Sequence, residues 1–193
     1  SQTIFDKNVI EFVTVAAEFC AFLERAERMK RSTFVDTSLK ILPLLYLKAS
    51  LLPKCETIGD EAPETYVTEE IYEILRINLA GLMGEKDDYL DVYGDPAVFG
   101  KKIGGDILCN KKTYMLINAL LLADDRQRAE LKRWIDAREY EPQEKIQAVT
   151  ALYDQIGIRE LCDKKITAYF EKAGECLNAL DAAFLYRVLP PLD

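Results

Sequence analysis

Apolar residues recur along this chain at three- and four-residue intervals, and no stretch alternates convincingly between apolar and polar. That spacing is the mark of helices that bury one face, and it leaves little room for a sheet. Residues 9–29 set the pattern. Ile10, Val13, Ala17, Cys20, Phe22 and Leu23 lie largely on one stripe, with Glu11, Glu18, Glu24 and Glu27 mostly on the other. Punctuation divides the rest. Asp36 or Thr37 is placed to cap a second helix running to Leu52, with Pro43 kinking it or marking its true start. Residues 53–63, bracketed by two prolines and holding Gly59, read as a loop. Thr68 stands as N-cap of a helix from Glu69 to about Met83. Residues 111–123 form an apolar helix. Asp124-Asp125 begins another that runs to about Arg138, its acids favourable at a helix N-terminus. Pro142 takes the favoured first position of a further helix, and Gly157 is its expected C-terminal stop. A long amphipathic helix covers 158–180, and Pro190-Pro191 ends whatever follows. The reading is an all-α bundle or array of six to eight helices with no significant sheet.

Composition removes several function classes. The 193 residues hold no histidine, which excludes Ser-His-Asp and Cys-His catalysis and histidine metal ligation. A formal charge of −8, with no basic face, argues against nucleic acid as a partner. Cysteines stand at 20, 55, 109, 162 and 176 with no C-x-x-C pair, so zinc and a disulfide framework are both poor readings. Cys20, Cys162 and Cys176 fall among apolar helical positions and read as small core residues. A reducing cytoplasm is the expected compartment. No signal peptide is expected, and the longest apolar patch, residues 41–52, is too short to span a bilayer.

Residues 87–113, DDYLDVYGDPAVFGKKIGGDILCNKKT, carry the chemistry. Asp87 and Asp91 are four apart, so on a helix they share a face, with Cβ atoms roughly 5–6 Å apart. Carboxylates so placed repel one another unless a cation sits between them. Mg²⁺ takes hard oxygens and completes its octahedron with substrate phosphate. Six of the nine glycines fall between Gly81 and Gly105, where the backbone is free to be irregular. Gly104 and Gly105 would let it approach a phosphate closely. A plainer reading stands beside this one: an exposed acidic helix end, Asp95-Pro96 as a turn, and an ordinary glycine loop. Trp134 and Tyr140 read as packing residues.

With GKKIGGD and NKKT at these offsets from DDYLD, the segment resembles the second aspartate-rich motif of the bacterial trans-prenyltransferases, the polyprenyl diphosphate synthases. The resemblance runs from about residue 87 to 181. The resemblance implies that Asp87, Asp88 and Asp91 hold Mg²⁺ on an allylic diphosphate, with Asp106 supporting the metal cluster. Lys101 or Lys102, together with Lys111, would contact the diphosphate. It also implies a homodimer. The family's first aspartate-rich motif, its early glycine-lysine-arginine motif and its arginine pair are missing, and Gly84-Glu85-Lys86 stands where Phe-Gln-x-Gln is usual. The expectation is therefore an incomplete synthase-like protein that keeps the second motif and does not elongate prenyl chains. Residues 5–86 resemble a small bacterial domain of unknown function through VIEFVTVAAEFCAFLE, KILPLLYLKASLLP and VTEEIYEILRINLAGLMGEKDDYLDV. The two resemblances overlap at residues 87–92, so the chain reads as a composite of 1–86 and 87–193, packed as one unit. The other functional class is a non-catalytic helical module, an interaction domain whose role residues 1–86 would set.

Residues 115–122 include seven apolar side chains, apolar nearly all round. A helix like that needs cover on more than one side, from elsewhere in the chain or from a second copy.

Overall fold

A computed structural model describes residues 2–51, 69–100 and 102–178. Among them are nine α-helices, one short 3₁₀ turn and no strand. The helices are α1 (Gln2–Glu24), α2 (Arg31–Ser50), α3 (Glu69–Tyr93), α4 (Pro96–Phe99), α5 (Gly105–Leu108), α6 (Tyr114–Leu122), α7 (Asp125–Asp136), α8 (Pro142–Ile156) and α9 (Ile158–Asn178). The fold is all-α, as the periodicity requires. The two extra elements relative to the sequence reading are the single-turn helices α4 and α5, too short to leave a periodic trace.

Helices gather into two compact units. Of the described residues, the first takes 2–26, 32–51, 69–83 and 168–178, and the second takes 27–31, 84–100 and 102–167. In the first unit Phe12, Val13, Ala16, Phe19 and Leu23 of α1 are buried at helical spacing, with Phe34 and Leu45 of α2 and Leu75, Leu79 and Leu82 of α3. The rings of Phe22 and Phe34 stack with centroids 5.5 Å apart. The α1–α2 pair is antiparallel: Phe22 meets Phe34 at one end, while at the other Lys48 pairs with Glu11 at 2.8 Å and Asn8 donates to the Leu51 carbonyl. Cys20 is only half-buried, whereas Cys162 and Cys176 are core residues as expected.

Helix α2 begins at Arg31, before either expected cap, and passes through Pro43. The carbonyl one turn earlier loses its donor, but it belongs to exposed Leu39, where water can replace the missing N–H. Helix α3 runs ten residues beyond the expected end at Met83. Gly84 costs about 1 kcal/mol of helix propensity. Buried Leu82 before it and Tyr89, Leu90 and Val92 after it hold the helix together across that position. The helix therefore carries all three aspartates of the motif.

In the second unit Asp124, Pro142 and Gly157 stand at the expected helix ends, whereas α6 begins three residues after the expected start at Lys111. Thr113 caps α6 by accepting from the Leu116 N–H. Asp124 and Gln127 form a reciprocal capping box on α7. Pro142 opens α8, and Gly157 closes it in the left-handed region at φ 85°. Met115, Leu116 and Ala119 of α6 are buried, while Ile117, Leu121 and Leu122 are 47%, 70% and 58% exposed. Only part of this apolar helix is covered. Tyr140 donates from its hydroxyl to the Leu108 carbonyl, and the Arg133 guanidinium lies over Trp134, in keeping with packing roles for both rings.

Candidate functional site

The last two turns of α3 present Asp87, Asp88 and Asp91, and the chain then returns across them. Gly94 ends the helix by donating to the Leu90 carbonyl, and Asp95 caps α4. Gly100 and Gly104 take φ values of 73° and 96°, turning the chain back towards α3. The Gly104 N–H donates to the Asp91 backbone carbonyl at 2.7 Å, and the Asp106 N–H donates to Asp91 Oδ2 at 2.8 Å. Asp91 thus grips the glycine loop with both its backbone and its carboxylate, and it is only 3% exposed.

Two cations close the cluster. Arg31 reaches Asp91 Oδ1 and Asp87 Oδ2, each at 3.4 Å. Lys111 Nζ donates to Asp88 Oδ1 at 2.7 Å and lies 3.7 Å from Asp106 Oδ2. Four carboxylates therefore share Arg31 and Lys111. Burial pushes the Asp87 carboxyl above the usual aspartate range, with Arg31 opposing that rise. Burial and the neighbouring Asp91 charge raise Asp106 in the same way. The hydrogen bond to Asp88 holds Lys111 above the ordinary lysine value. One atom is left out: Asp87 Oδ1 is buried without a hydrogen bond.

The structure brings together Asp87, Asp88, Asp91, Asp106 and Lys111. Lys102 instead lines a separate cleft against α8, and Lys101 lies outside the described residues. Sequence reasoning missed Arg31, whose one signal was the basic cluster Arg28, Lys30, Arg31 following an acidic helix. It also missed Lys145. That side chain is 1% exposed, donates to Asn110 Oδ1 at 2.8 Å and sits 4.6 Å from the centre of the Tyr140 ring. Asn110 has φ 52° and donates in turn to the Ile135 carbonyl. The pair fixes the turn that delivers Lys111.

Among the described residues no three Asp, Glu, His or Cys side chains are grouped to hold a metal ion. The cause is local: each oxygen of Asp91 already has a donor, and Lys111 engages Asp88.

Comparison with known proteins follows the two parts of the sequence. Residues 3–107, more than half of the chain, match a family described as a domain of unknown function (DUF5063). The chain belongs to the DUF5063 family. This DUF5063 protein is also similar to farnesyl pyrophosphate synthases. With the rat enzyme it is 39% identical over 83 residues, 41% of this chain and 22% of the relative. With the Candida albicans enzyme it is 33% identical over 116 residues, 60% of this chain and 30% of the relative. The chain spans less than a third of the length of either synthase, and this partial similarity supports prenyltransferase-like ancestry for the shared segment. Protein BF1032 from Bacteroides fragilis, of known crystal structure, is 47% identical, with 93% of this chain and 98% of that chain covered at a TM-score of 0.28. No described helix of the DUF5063 protein is long and apolar enough to cross a membrane.

Proposed function

We propose that this protein is a non-catalytic helical module of prenyltransferase ancestry, in which the second aspartate-rich motif works as an ion-pair clasp. The observation that carries this reading is the engagement of Asp91 by Arg31 on one oxygen and by the Asp106 N–H on the other. With Lys111 on Asp88, the carboxylates that would face a metal face cations of the chain itself. The clasp joins α3, the glycine loop and the start of α5 into one rigid corner. Such a corner suits a scaffold or interaction domain. Chain elongation needs charge stabilisation of a departing diphosphate, and the carboxylates of this motif are already engaged by Arg31 and Lys111.

A second reading, retained binding of Mg²⁺ and a diphosphate-bearing small molecule, is favoured by the orphaned Asp87 Oδ1 and by the excess of carboxylates over cations. Calorimetric titration with Mg²⁺ plus pyrophosphate separates the two. The clasp reading expects no saturable heat. Saturable heat that disappears in Asp87→Ala/Asp91→Ala overturns it in favour of the second. Under either reading, radiolabelled isopentenyl diphosphate is not incorporated into longer product above a Lys111→Ala control.

A further inference from the structure

The cleft that takes Lys102 is independent of the aspartate clasp. Its volume is about 490 Å³, and none of Asp87, Asp88, Asp106 or Lys111 lines it. Pockets for small molecules run from roughly 300 to 1,000 Å³ and combine an apolar wall with a few placed polar groups. This cleft has that make-up. Its floor is aliphatic, from Val92, Ile103 and Ile146, and no aromatic residue is among the described residues that line it. Helix α8 supplies the polar rail: Gln143, Gln147, Thr150 and Asp154 recur at three- and four-residue intervals and so share one face.

Two opposite charges line the same space, the Lys102 ammonium and the Asp154 carboxylate. Asp154 is held in place by the Tyr93 hydroxyl, which donates to Oδ1 at 2.8 Å. The Tyr93 ring is itself fixed, with the Arg159 guanidinium 4.9 Å from its centre and the Tyr89 ring at 5.2 Å. A carboxylate accepts several hydrogen bonds, so Tyr93 orients Asp154 without saturating it. The opposing wall is equally fixed. Gly104 packs so tightly on Ile146 that a Cβ there would lie 2.6 Å from Ile146 Cδ1, which holds the loop bearing Lys102 against α8.

We infer that this cleft binds an aliphatic amphoteric molecule of amino-acid to dipeptide size. Its carboxylate meets Lys102, its ammonium meets Asp154, and its chain lies on the aliphatic floor beside the glutamine amides. A nucleotide fits poorly because Asp154 repels its phosphates. A purely anionic or purely cationic ligand leaves one of the two charges unanswered.

The test uses the full chain and an ω-amino acid series, 4-aminobutyrate, 6-aminohexanoate and 8-aminooctanoate, as a ruler for the spacing of the two charges. Hexanoate and hexylammonium are single-charge controls. Amide chemical shifts of Gln147 and Thr150 are followed by NMR, with Asp106 as the reporter for the clasp. At least one amino acid of the series should saturate the α8 shifts with an affinity about tenfold above either control. Lys102→Gln, at an exposed position outside the core, should lower that affinity to the control level with helical circular dichroism unchanged, and Asp154→Asn should do the same. Equal binding of all five probes, saturation by none, or an unaltered affinity in Lys102→Gln overturns the inference.

Discussion

Arg31 is the residue on which the clasp turns. Without its guanidinium, Asp87 and Asp91 face each other one helical turn apart, and Asp91 is too buried for water to compensate. Arg31→Ala is expected to cost about 1–3 kcal/mol in urea denaturation, because a buried charge is left short of its partner. A second prediction concerns pH. The folded-state values of Asp87 and Asp106 are raised, so the fold favours their protonated forms. A group shifted that way contributes stability that is present below its unfolded value, near 3.8, and is lost as pH rises through the folded value. Relative to Asp106→Asn, wild-type protein should therefore gain stability as pH falls from 7 towards 4. A flat difference across a series of urea melts would contradict the raised value. The sequence made Asp87, Asp88 and Asp91 legible because helical spacing is local. Arg31 was not legible, since it meets Asp87 and Asp91 across 56 and 60 residues. The place of Lys102 in the α8 cleft was not legible either, because spacing carries no record of a loop turned by Gly100 and Gly104 at positive φ.

At the scale of elements, two glycines on one stretch of chain give opposite expectations. Gly84 lies inside α3, and a Cβ added there would meet nothing within 4 Å, so Gly84→Ala should stabilise by about 0.5–1 kcal/mol through helix propensity. Gly104 combines φ 96° with close contact on Ile146, so Gly104→Ala should destabilise by about 2 kcal/mol or more. Thermal melts of the pair against wild type check both signs in one experiment. Helices α7 and α8 and the start of α9 could be read from the sequence because Asp124, Pro142 and Gly157 are strong start and stop signals, whereas the Thr113 cap that sets the start of α6 was not singled out. The length of α3 could not be read either. Its glycines look like breakers locally, and only the buried residues on both sides of Gly84 outweigh them.

For the whole molecule, α6 is one place where described apolar side chains stay uncovered, as do Leu39, Leu44 and Leu47 of α2 and Ile77 of α3. Ile117, Leu121 and Leu122 are each about half exposed or more, and leaving such side chains in water forfeits roughly 1.5–3 kcal/mol apiece. A second copy of the chain is the expected cover. Light scattering after size exclusion should give a mass near twice 22.0 kDa, and Leu121→Glu should return it to a single copy. A monomer whose melting temperature does not depend on protein concentration would count against this. The cysteines carry a different consequence. Burial pushes the Cys20 and Cys162 thiols up to about 11 and about 12, and it raises Cys176 as well. Cys109 alone among the described cysteines is exposed, at the end of α5 and beside the clasp, its thiol directed to the Asp106 carbonyl. Thiolates rather than thiols attack electrophiles. A maleimide at pH 8 should therefore mark Cys109 before Cys20, Cys162 or Cys176, as peptide mass spectrometry would register. The protein then offers a built-in attachment point for a fluorophore, set where opening of the aspartate corner would alter its emission.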